Sequence, residues 1–237
     1  MLDFLPVDQQ EVLRYLGYRQ QKIDAELEQT IQRCMARCVE IATPRYRYQT
    51  YDSSVGSDGV YLKAAGLLLE GEDLSQHLQG ASQVVVMAAT LGAAFDQQII
   101  RAQSRSMTEA LILDACGTDY IEKVCDAVCL EIERCARPKG LNVTSRFSPG
   151  YGDFPLEQQP ALTALLDCPR QIGLTCSPSL ILLPRKSVTA VVGLVSHTPA
   201  DPSPACTLCA LRGSCTLRKE GRTCGHQNMA TTEKPGI

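Results

Sequence analysis

The sequence lacks a hydrophobic run long enough to cross a membrane. Its longest mostly apolar stretch, residues 84–95, is interrupted by Thr90 and Gly92, whereas a transmembrane helix needs roughly 20 apolar residues in succession. It also lacks a basic stripe interleaved with aromatic residues, the pattern typical of nucleic-acid-binding surfaces, and its net charge is only -3. These absences predict a protein with neither membrane nor nucleic-acid partners.

The N-terminal residues, 1–6, contain one acidic residue and no basic one. A secretory signal begins with a basic region, so none is expected here. The hydrophobic fraction of 44% and the charged fraction of 21% are typical of globular proteins. A chain of 237 residues fits one domain, or one domain with an appendage. We therefore expect a cytoplasmic protein.

Eight of the twelve cysteines do not follow a pattern typical of a disulfide framework. They fall in or beside predicted helices and strands: Cys34, Cys38, Cys116, Cys125, Cys129, Cys135, Cys168 and Cys176. We interpret them as small hydrophobic side chains of the core, in a compartment that keeps thiols reduced. The pairs Cys34/Cys38 and Cys125/Cys129 have helical spacing, but neither has a second pair beside it to complete a metal site.

The spacing of apolar residues predicts several helices and strands. Helices are expected over residues 8–18, 24–42, 93–104, 107–135 and 156–166, with a helical turn at 74–78. Strands are expected over residues 45–51, 59–63, 66–69, 83–91, 141–147, 180–183 and 187–196, the first of them near a sheet edge. We interpret the long helix over 107–135 as scaffold.

The stretch from Arg146 to Pro155 differs from these regular elements. Its two prolines fix φ and remove backbone donors, and its two glycines allow φ values that other residues avoid, so it predicts a rigid loop. It contains a guanidinium, a carboxylate, a hydroxyl and three aromatic rings, which suit a small zwitterionic or cationic ligand. The alternative is an ordinary connector whose aromatic rings cover an edge of the core.

The run Arg146-x-Ser148-Pro149-Gly150-Tyr151, followed by Pro155, resembles the signature loop of the activation domain of cobalamin-dependent methionine synthase. That domain binds S-adenosylmethionine (SAM). Further similar segments are 8–17, 42–45, 87–92, 113–115 and 184–191. The resemblance covers about residues 8–197, and no other part of a methionine synthase is visible.

The resemblance implies an α+β fold for residues 1–197, with a mostly antiparallel twisted sheet flanked by helices. A small cysteine-rich, metal-binding appendage follows it. The prolines of residues 198–205 predict a stiff linker, the four-cysteine motif occupies residues 206–226, and the polar residues 227–237 predict a disordered tail.

The resemblance also implies which residues bind SAM. Arg146, Ser148 and Gly150 occupy the positions that contact SAM in the family, and Arg146 is expected to grip the ligand's carboxylate. We expect Tyr151 to offer a ring face to the adenine or the sulfonium. The family's tyrosine near the end of the sheet is replaced by Leu194, so its ring contact would come from Tyr151 or Tyr46.

The implied activity is reactivation of a cobalamin that has slipped to Co(II). The cobalt is reduced to Co(I) and takes the methyl group of SAM. No proton moves in the methyl step, so no catalytic acid or base is expected. The cobalamin would be held by a partner, a methionine synthase or related corrinoid protein without its own activation domain. A low-potential donor such as flavodoxin or ferredoxin would supply the electron.

The C-terminal cysteines form a spacing typical of metal sites. The motif is Cys206-x2-Cys209-x5-Cys215-x8-Cys224, and four cysteines that begin with a CxxC pair are a strong signal in a cytosolic protein. An iron–sulfur cluster would carry one electron at low potential, and zinc would make a closed structural site. The reductive reaction favours the cluster, with zinc as the alternative.

Two other functions fit the same residues. One is an iron–sulfur electron carrier or adaptor for a corrinoid protein, with a vestigial SAM site. The other is an interaction module stabilised by zinc. SAM binding distinguishes the leading hypothesis from both.

Overall fold

The computed structural model describes residues 5–18 and 21–197. The predicted linker, the four-cysteine motif and the tail lie outside these residues. The helices of the described part are α1 (Gln9–Tyr15), α2 (Ala25–Ile41), α3 (Glu72–His77), α4 (Ala93–Gln103), α5 (Met107–Ala136), α6 (Gln159–Leu165) and α7 (Cys168–Gln171). The strands are β1 (Arg45–Val55), β2 (Gly59–Leu62), β3 (Leu67–Glu70), β4 (Ala81–Thr90), β5 (Asn142–Val143), β6 (Thr175–Cys176), β7 (Leu182–Leu183) and β8 (Ser187–Val195).

Side chains at the helix starts explain where α1, α2 and α5 begin. The carboxylate of Asp8 accepts a hydrogen bond from the backbone N–H of Gln10, and that of Asp24 accepts one from Leu27, both at 2.8 Å. Ser106 does the same at the start of α5. Each cap satisfies a backbone donor that has no partner within its helix.

Six strands form one sheet in the order β3-β2-β1-β4-β8-β5, and β6 and β7 form a separate hairpin. Every pair of neighbours is antiparallel, which confirms the predicted α+β fold with an antiparallel sheet. The predicted helix over 156–166 is a 3-10 turn, Leu156–Gln158, followed by α6.

Strand β1 was expected near a sheet edge. Its residues 45–52 pair with β4 on one side, and only Ser53 to Val55 pair with β2 on the other. Among the described strands, none pairs with the outer side of residues 45–52. The first part of β1 is therefore an edge, and its last part lies inside the sheet.

Both faces of the sheet are covered. On one face α1, α2, α4 and α5 pack on Val85, Met87 and Val192. On the other face, Val84, Val86 and Val191 pack against β2, β3, α3, α6 and α7. Burying each such side chain stabilises the fold by roughly 1.5–3 kcal/mol. Two buried faces explain why β4 and β8 read as continuous apolar runs rather than alternating ones.

Most of the eight cysteines are core residues, as predicted. Cys34, Cys38, Cys116, Cys125 and Cys168 are buried, and Cys129 and Cys176 are half-buried. The prediction is wrong for Cys135, which is exposed. Burial raises the pKa of the Cys34 thiol to about 11 and that of Cys116 to about 12, so both remain thiols at neutral pH.

Within residues 5–18 and 21–197, no three or more histidine, cysteine or acidic side chains are arranged to hold a metal ion. No helix in the same part of the chain is both long and apolar enough to cross a membrane.

Candidate functional site

Arg146 lies on the edge of the sheet, just after β5. Its neighbour Phe147 forms a bridge with Val191 of β8, and the two side chains point to opposite faces of the sheet. The side chain of Phe147 packs in the core on the face opposite to α5, the face covered by α3, α6 and α7. Arg146 points towards α5, where its Nη2 lies 3.0 Å from an oxygen of Glu122 and 2.8 Å from one of Asp126.

The guanidinium of Arg146 is largely buried, with 19% of its side chain exposed. Its Nη1 is buried and has no hydrogen-bond partner among the described residues. A buried donor without an acceptor costs roughly 1–3 kcal/mol. Because Nη1 is covered by the protein, a ligand oxygen would recover that free energy only after neighbouring side chains move aside.

Glu122 and Asp126 were not predicted as site residues, because α5 was interpreted as scaffold. Their spacing of four residues places them on one side of the helix, and that side faces Arg146. One guanidinium and two carboxylates give the cluster a formal charge of −1. This charge favours a ligand that carries a net positive charge.

The loop after Arg146 is held by its own backbone. Tyr151 donates to the carbonyl of Ser148 at 3.0 Å, Phe154 donates to that of Tyr151 at 3.0 Å, and Gly150 donates to that of Phe154 at 2.8 Å. Gly150 has a φ of 90° and Gly152 a φ of 51°, values that cost other residues roughly 1–2 kcal/mol. The predicted rigid loop is thus present.

Asp153 has a structural role that the sequence did not reveal. Its carboxylate accepts hydrogen bonds from the backbone N–H groups of Glu72 at 2.6 Å and Asp73 at 3.0 Å. These are the first two residues of α3, whose N-cap, Gly71, has no side chain to do this. Asp153 therefore caps α3 from a distance and fastens the loop to it.

Of the three aromatic rings of the loop, two cover the core and one is available to a ligand. Phe147 and Phe154 are buried in the core beneath the sheet, with 4% and 1% exposed. Tyr151 is 53% exposed and packs edge to face on Phe147, with the ring centroids 6.0 Å apart. Of the loop aromatics, Tyr151 is the one whose ring a ligand can reach.

His77 of α3 supports Phe147 from the other side. Its ring centroid lies 4.9 Å from that of Phe147, and its Nε2 lies 2.8 Å from the carbonyl oxygen of Ser145. An acceptor at that position requires the proton on Nε2. Burial lowers the pKa of His77, which favours the neutral imidazole.

Tyr46 lies on the face of the sheet that α5 covers, as Arg146 does. Its hydroxyl donates to Glu131 at 2.7 Å, and that of Tyr48 donates to the same carboxylate at 2.9 Å. The hydrogen bond from Tyr46 lowers the pKa of Glu131. On α5, Glu131 lies five residues after Asp126 and nine after Glu122, or roughly 8 and 14 Å along the helix. Tyr46 is therefore bound to a different carboxylate from the two that pair with Arg146.

Leu194 is buried in the core beneath the helices, with 3% exposed, opposite Val143 of β5. The four residues predicted to bind SAM, by contrast, lie on one short stretch of chain. Within it, Arg146 contacts α5, whereas Tyr151 packs on Phe147, whose side chain lies in the core on the opposite face of the sheet. Two consecutive elements, the edge of the sheet and the loop, position Arg146 and Tyr151. The predicted metal ligands Cys206, Cys209, Cys215 and Cys224 lie outside the described residues.

No protein-family model and no curated protein matches the chain. Among solved structures, it is similar to the reactivation domain of MetH bound to AdoHcy, with a TM-score of 0.60 and 13% sequence identity. The similarity covers 89% of this chain and 77% of that one. The chain therefore has the fold of that reactivation domain, which confirms the fold expected from the sequence.

Proposed function

We propose that this protein binds SAM beside Arg146 and presents its methyl group to a reduced cobalamin on a partner protein. The partner is a methionine synthase or a related corrinoid protein that lacks this domain. The buried Nη1 of Arg146, which has no acceptor among the described residues, is the observation that carries the proposal. The shared fold with a domain bound to AdoHcy supports the same ligand class.

The charges of SAM complement those of the cluster. SAM has a carboxylate, an ammonium and a sulfonium, and so a net charge of +1, whereas the cluster of Arg146, Glu122 and Asp126 carries −1. The ligand's carboxylate accepts from Nη1 of Arg146, and its ammonium lies against the acidic pair. Backbone groups of Ser148 and Gly150 hold further polar atoms, and the ring of Tyr151 faces the adenine or the sulfonium.

The proposed reaction makes few chemical demands on this chain. The methyl carbon leaves the sulfonium for Co(I), the carbon–sulfur bond electrons stay on sulfur, and the products are methylcobalamin and S-adenosylhomocysteine. No proton is transferred, so no acid or base is required. The protein's task is to hold the methyl group in line with the cobalt, which is a contribution of orientation and entropy. The electron that forms Co(I) comes from a low-potential donor.

Titration calorimetry with SAM tests the site. Replacing Arg146 by alanine should weaken binding about 30- to 1000-fold, since a charge-assisted hydrogen bond is lost and the acidic pair loses its cation. Arg146→Lys keeps the charge but cannot form bidentate hydrogen bonds, so its affinity for SAM should lie between those of the wild type and Arg146→Ala. Arg170→Ala is the matched control, because Arg170 is 86% exposed and its ion pair with Asp167 is long, at 3.8 Å. Wild-type protein that does not bind SAM would refute the proposal.

Reconstitution tests the reaction itself. The protein is mixed with SAM, a low-potential reductant and a corrinoid protein in its Co(II) state, and methylcobalamin is followed by absorbance. Conversion no faster than without this protein contradicts the proposed activity, even where SAM binds.

The four-cysteine motif remains a prediction, with Cys206, Cys209, Cys215 and Cys224 as ligands of an iron–sulfur cluster or of zinc. A cluster there would carry the electron, and it is also the basis of the alternative in which the protein is an electron carrier with a vestigial SAM site. Zinc would instead favour an interaction module. Iron, sulfide and zinc analysis of protein purified without oxygen distinguishes these cases.

A further inference from the structure

A cleft of about 550 Å³ lies between α2, α4 and the beginning of α5. Four arginines line it: Arg33 and Arg37 from α2, and Arg101 and Arg105 from α4 and the turn that follows it. Arg33 and Arg37 are four residues apart and so project from the same side of α2, while Arg105, in the turn after α4, lines the cleft together with Arg101. Two arginine pairs therefore line one cleft.

The arginines are poorly neutralised. Arg37 pairs with Glu40 at 2.8 Å, while Arg33 approaches Glu109 only to 3.7 Å. Arg101 and Arg105 form no ion pair with any described residue. Residues 1–145 contain more acidic than basic side chains, so four arginines in one cleft run against the charge of the surrounding chain.

The fold alone does not account for this concentration of positive charge. A cation near the end of a helix interacts favourably with the helix dipole, which explains Arg101 at the end of α4. It does not explain why two arginines of α2 face the same cleft. Like charges brought together repel one another, and an anionic partner would reverse that cost.

We propose that this cleft docks an acidic segment of a partner protein. Its guanidiniums are exposed to water; for example, 62% of the Arg33 side chain is accessible. The floor, with Cys34 and Leu113, is already almost covered by the protein itself. A small ligand needs a site that encloses most of its surface, whereas exposed arginines around a shallow apolar floor are typical of protein interfaces.

The protein's own C-terminal segment is a poorer occupant. Residues 201–237 contain five basic and three acidic side chains, so their charge does not complement the cleft. Carboxylates of another protein do, because the planar guanidinium matches a carboxylate with two parallel hydrogen bonds.

The cleft is separate from the proposed SAM site. It contacts α5 at Glu109 and Leu113, whereas Arg146 contacts α5 at Glu122 and Asp126. At 100° per residue, the two pairs lie on opposite sides of the helix, and Leu113 and Glu122 are roughly 14 Å apart along its axis. A partner docked in the cleft thus leaves Arg146 uncovered, and this proposal does not depend on SAM binding.

Fluorescence anisotropy with a labelled octaglutamate peptide tests the cleft in the full-length protein. At about 0.01 M ionic strength, where charges act over roughly 30 Å, the peptide should bind saturably, and binding should weaken as salt shortens that range. The double variant Arg101→Glu/Arg105→Glu should raise the Kd by about tenfold or more, since a repulsive charge replaces each attractive one.

The matched control is Arg45→Glu/Arg47→Glu, which changes the net charge by the same amount on exposed residues of β1 and should change the Kd by no more than about twofold. Equal weakening by both double variants would show that only net charge matters, and would overturn the proposal. So would displacement of the peptide by pyrophosphate at constant ionic strength, which would identify a site for small anions. Unchanged melting temperature and SAM titration in the cleft variant establish that its fold and its other site are intact.

Discussion

Removal of the Asp153 carboxylate is expected to destabilise the protein and loosen the proposed ligand loop at the same time. This carboxylate caps α3 through two short hydrogen bonds to backbone N–H groups, at 2.6 and 3.0 Å. Loss of a capping side chain costs roughly 0.5–2 kcal/mol, and loss of a negative charge at a helix N-terminus accounts for roughly 0.3–1 kcal/mol. These effects overlap, so we expect a total of about 1.5 kcal/mol for Asp153→Ala.

The corresponding change in melting temperature is measurable. In a protein of this size, 1 kcal/mol lowers Tm by roughly 2–4 °C, so Asp153→Ala should melt about 3–6 °C below wild type. Asp153→Asn keeps one oxygen acceptor and loses the charge, and should lose about half as much. Thermal melts followed by circular dichroism give both values, and calorimetry with SAM should show an affinity that is several-fold weaker in the alanine variant.

Asp58→Ala is the control for this experiment. Asp58 is also an exposed carboxylate, but within the described residues its side chain accepts just a local hydrogen bond, from Ser57 at 3.1 Å. If Asp153→Ala and Asp58→Ala melted at the same temperature, Asp153 would not be fastening the loop to α3, and the structural role assigned to it would be wrong.

Two further predictions concern packing and pH. Gly117→Ala would place a Cβ within 2.7 Å of the ring of Phe95, and should destabilise the protein by about 1–3 kcal/mol in urea unfolding. Gly56→Ala is its control, since a Cβ there meets nothing closer than 3.5 Å, and equal effects would contradict the crowding. Burial lowers the pKa of His77 below its usual 6.5, so the unfolded chain takes up this proton first as the pH falls. The stability due to neutral His77 is therefore complete above about pH 6.5 and is lost at lower pH, and His77→Gln should flatten the fall of Tm between about pH 7 and 5.

Much of the fold was predictable because the spacing of apolar residues is clear in the longest helix and in the two central strands. The 107–135 helix was predicted almost to the residue, and β4 and β8 lie within one to two residues of their predicted bounds. β1 was predicted to end at residue 51 but continues to Val55. Residues 52–54 are polar, and pairing with β2 rather than any local signal keeps residues 53–55 in the sheet. Pairing between strands overrides weak local preference there.

The candidate site was predictable only in part. The loop residues were visible because proline and glycine mark irregular backbone. Glu122 and Asp126 were not, since they lie 24 and 20 residues from Arg146 and occupy ordinary exposed-looking positions on a helix. The role of Asp153 was hidden for the same reason, because the helix it caps lies 80 residues earlier. Sequence pattern reports what a segment is made of, whereas these contacts depend on how distant segments meet.

Among the described strands, the first part of β1 pairs on one side only, which bears on edge-to-edge association between copies of the protein. A row of backbone donors and acceptors without a partner strand can recruit the same row from another copy, which is how edge strands begin to aggregate. Here the row carries Arg45 and Arg47, both exposed. A second copy aligned on this edge would bring guanidinium against guanidinium, and that repulsion disfavours pairing between the edges of two copies.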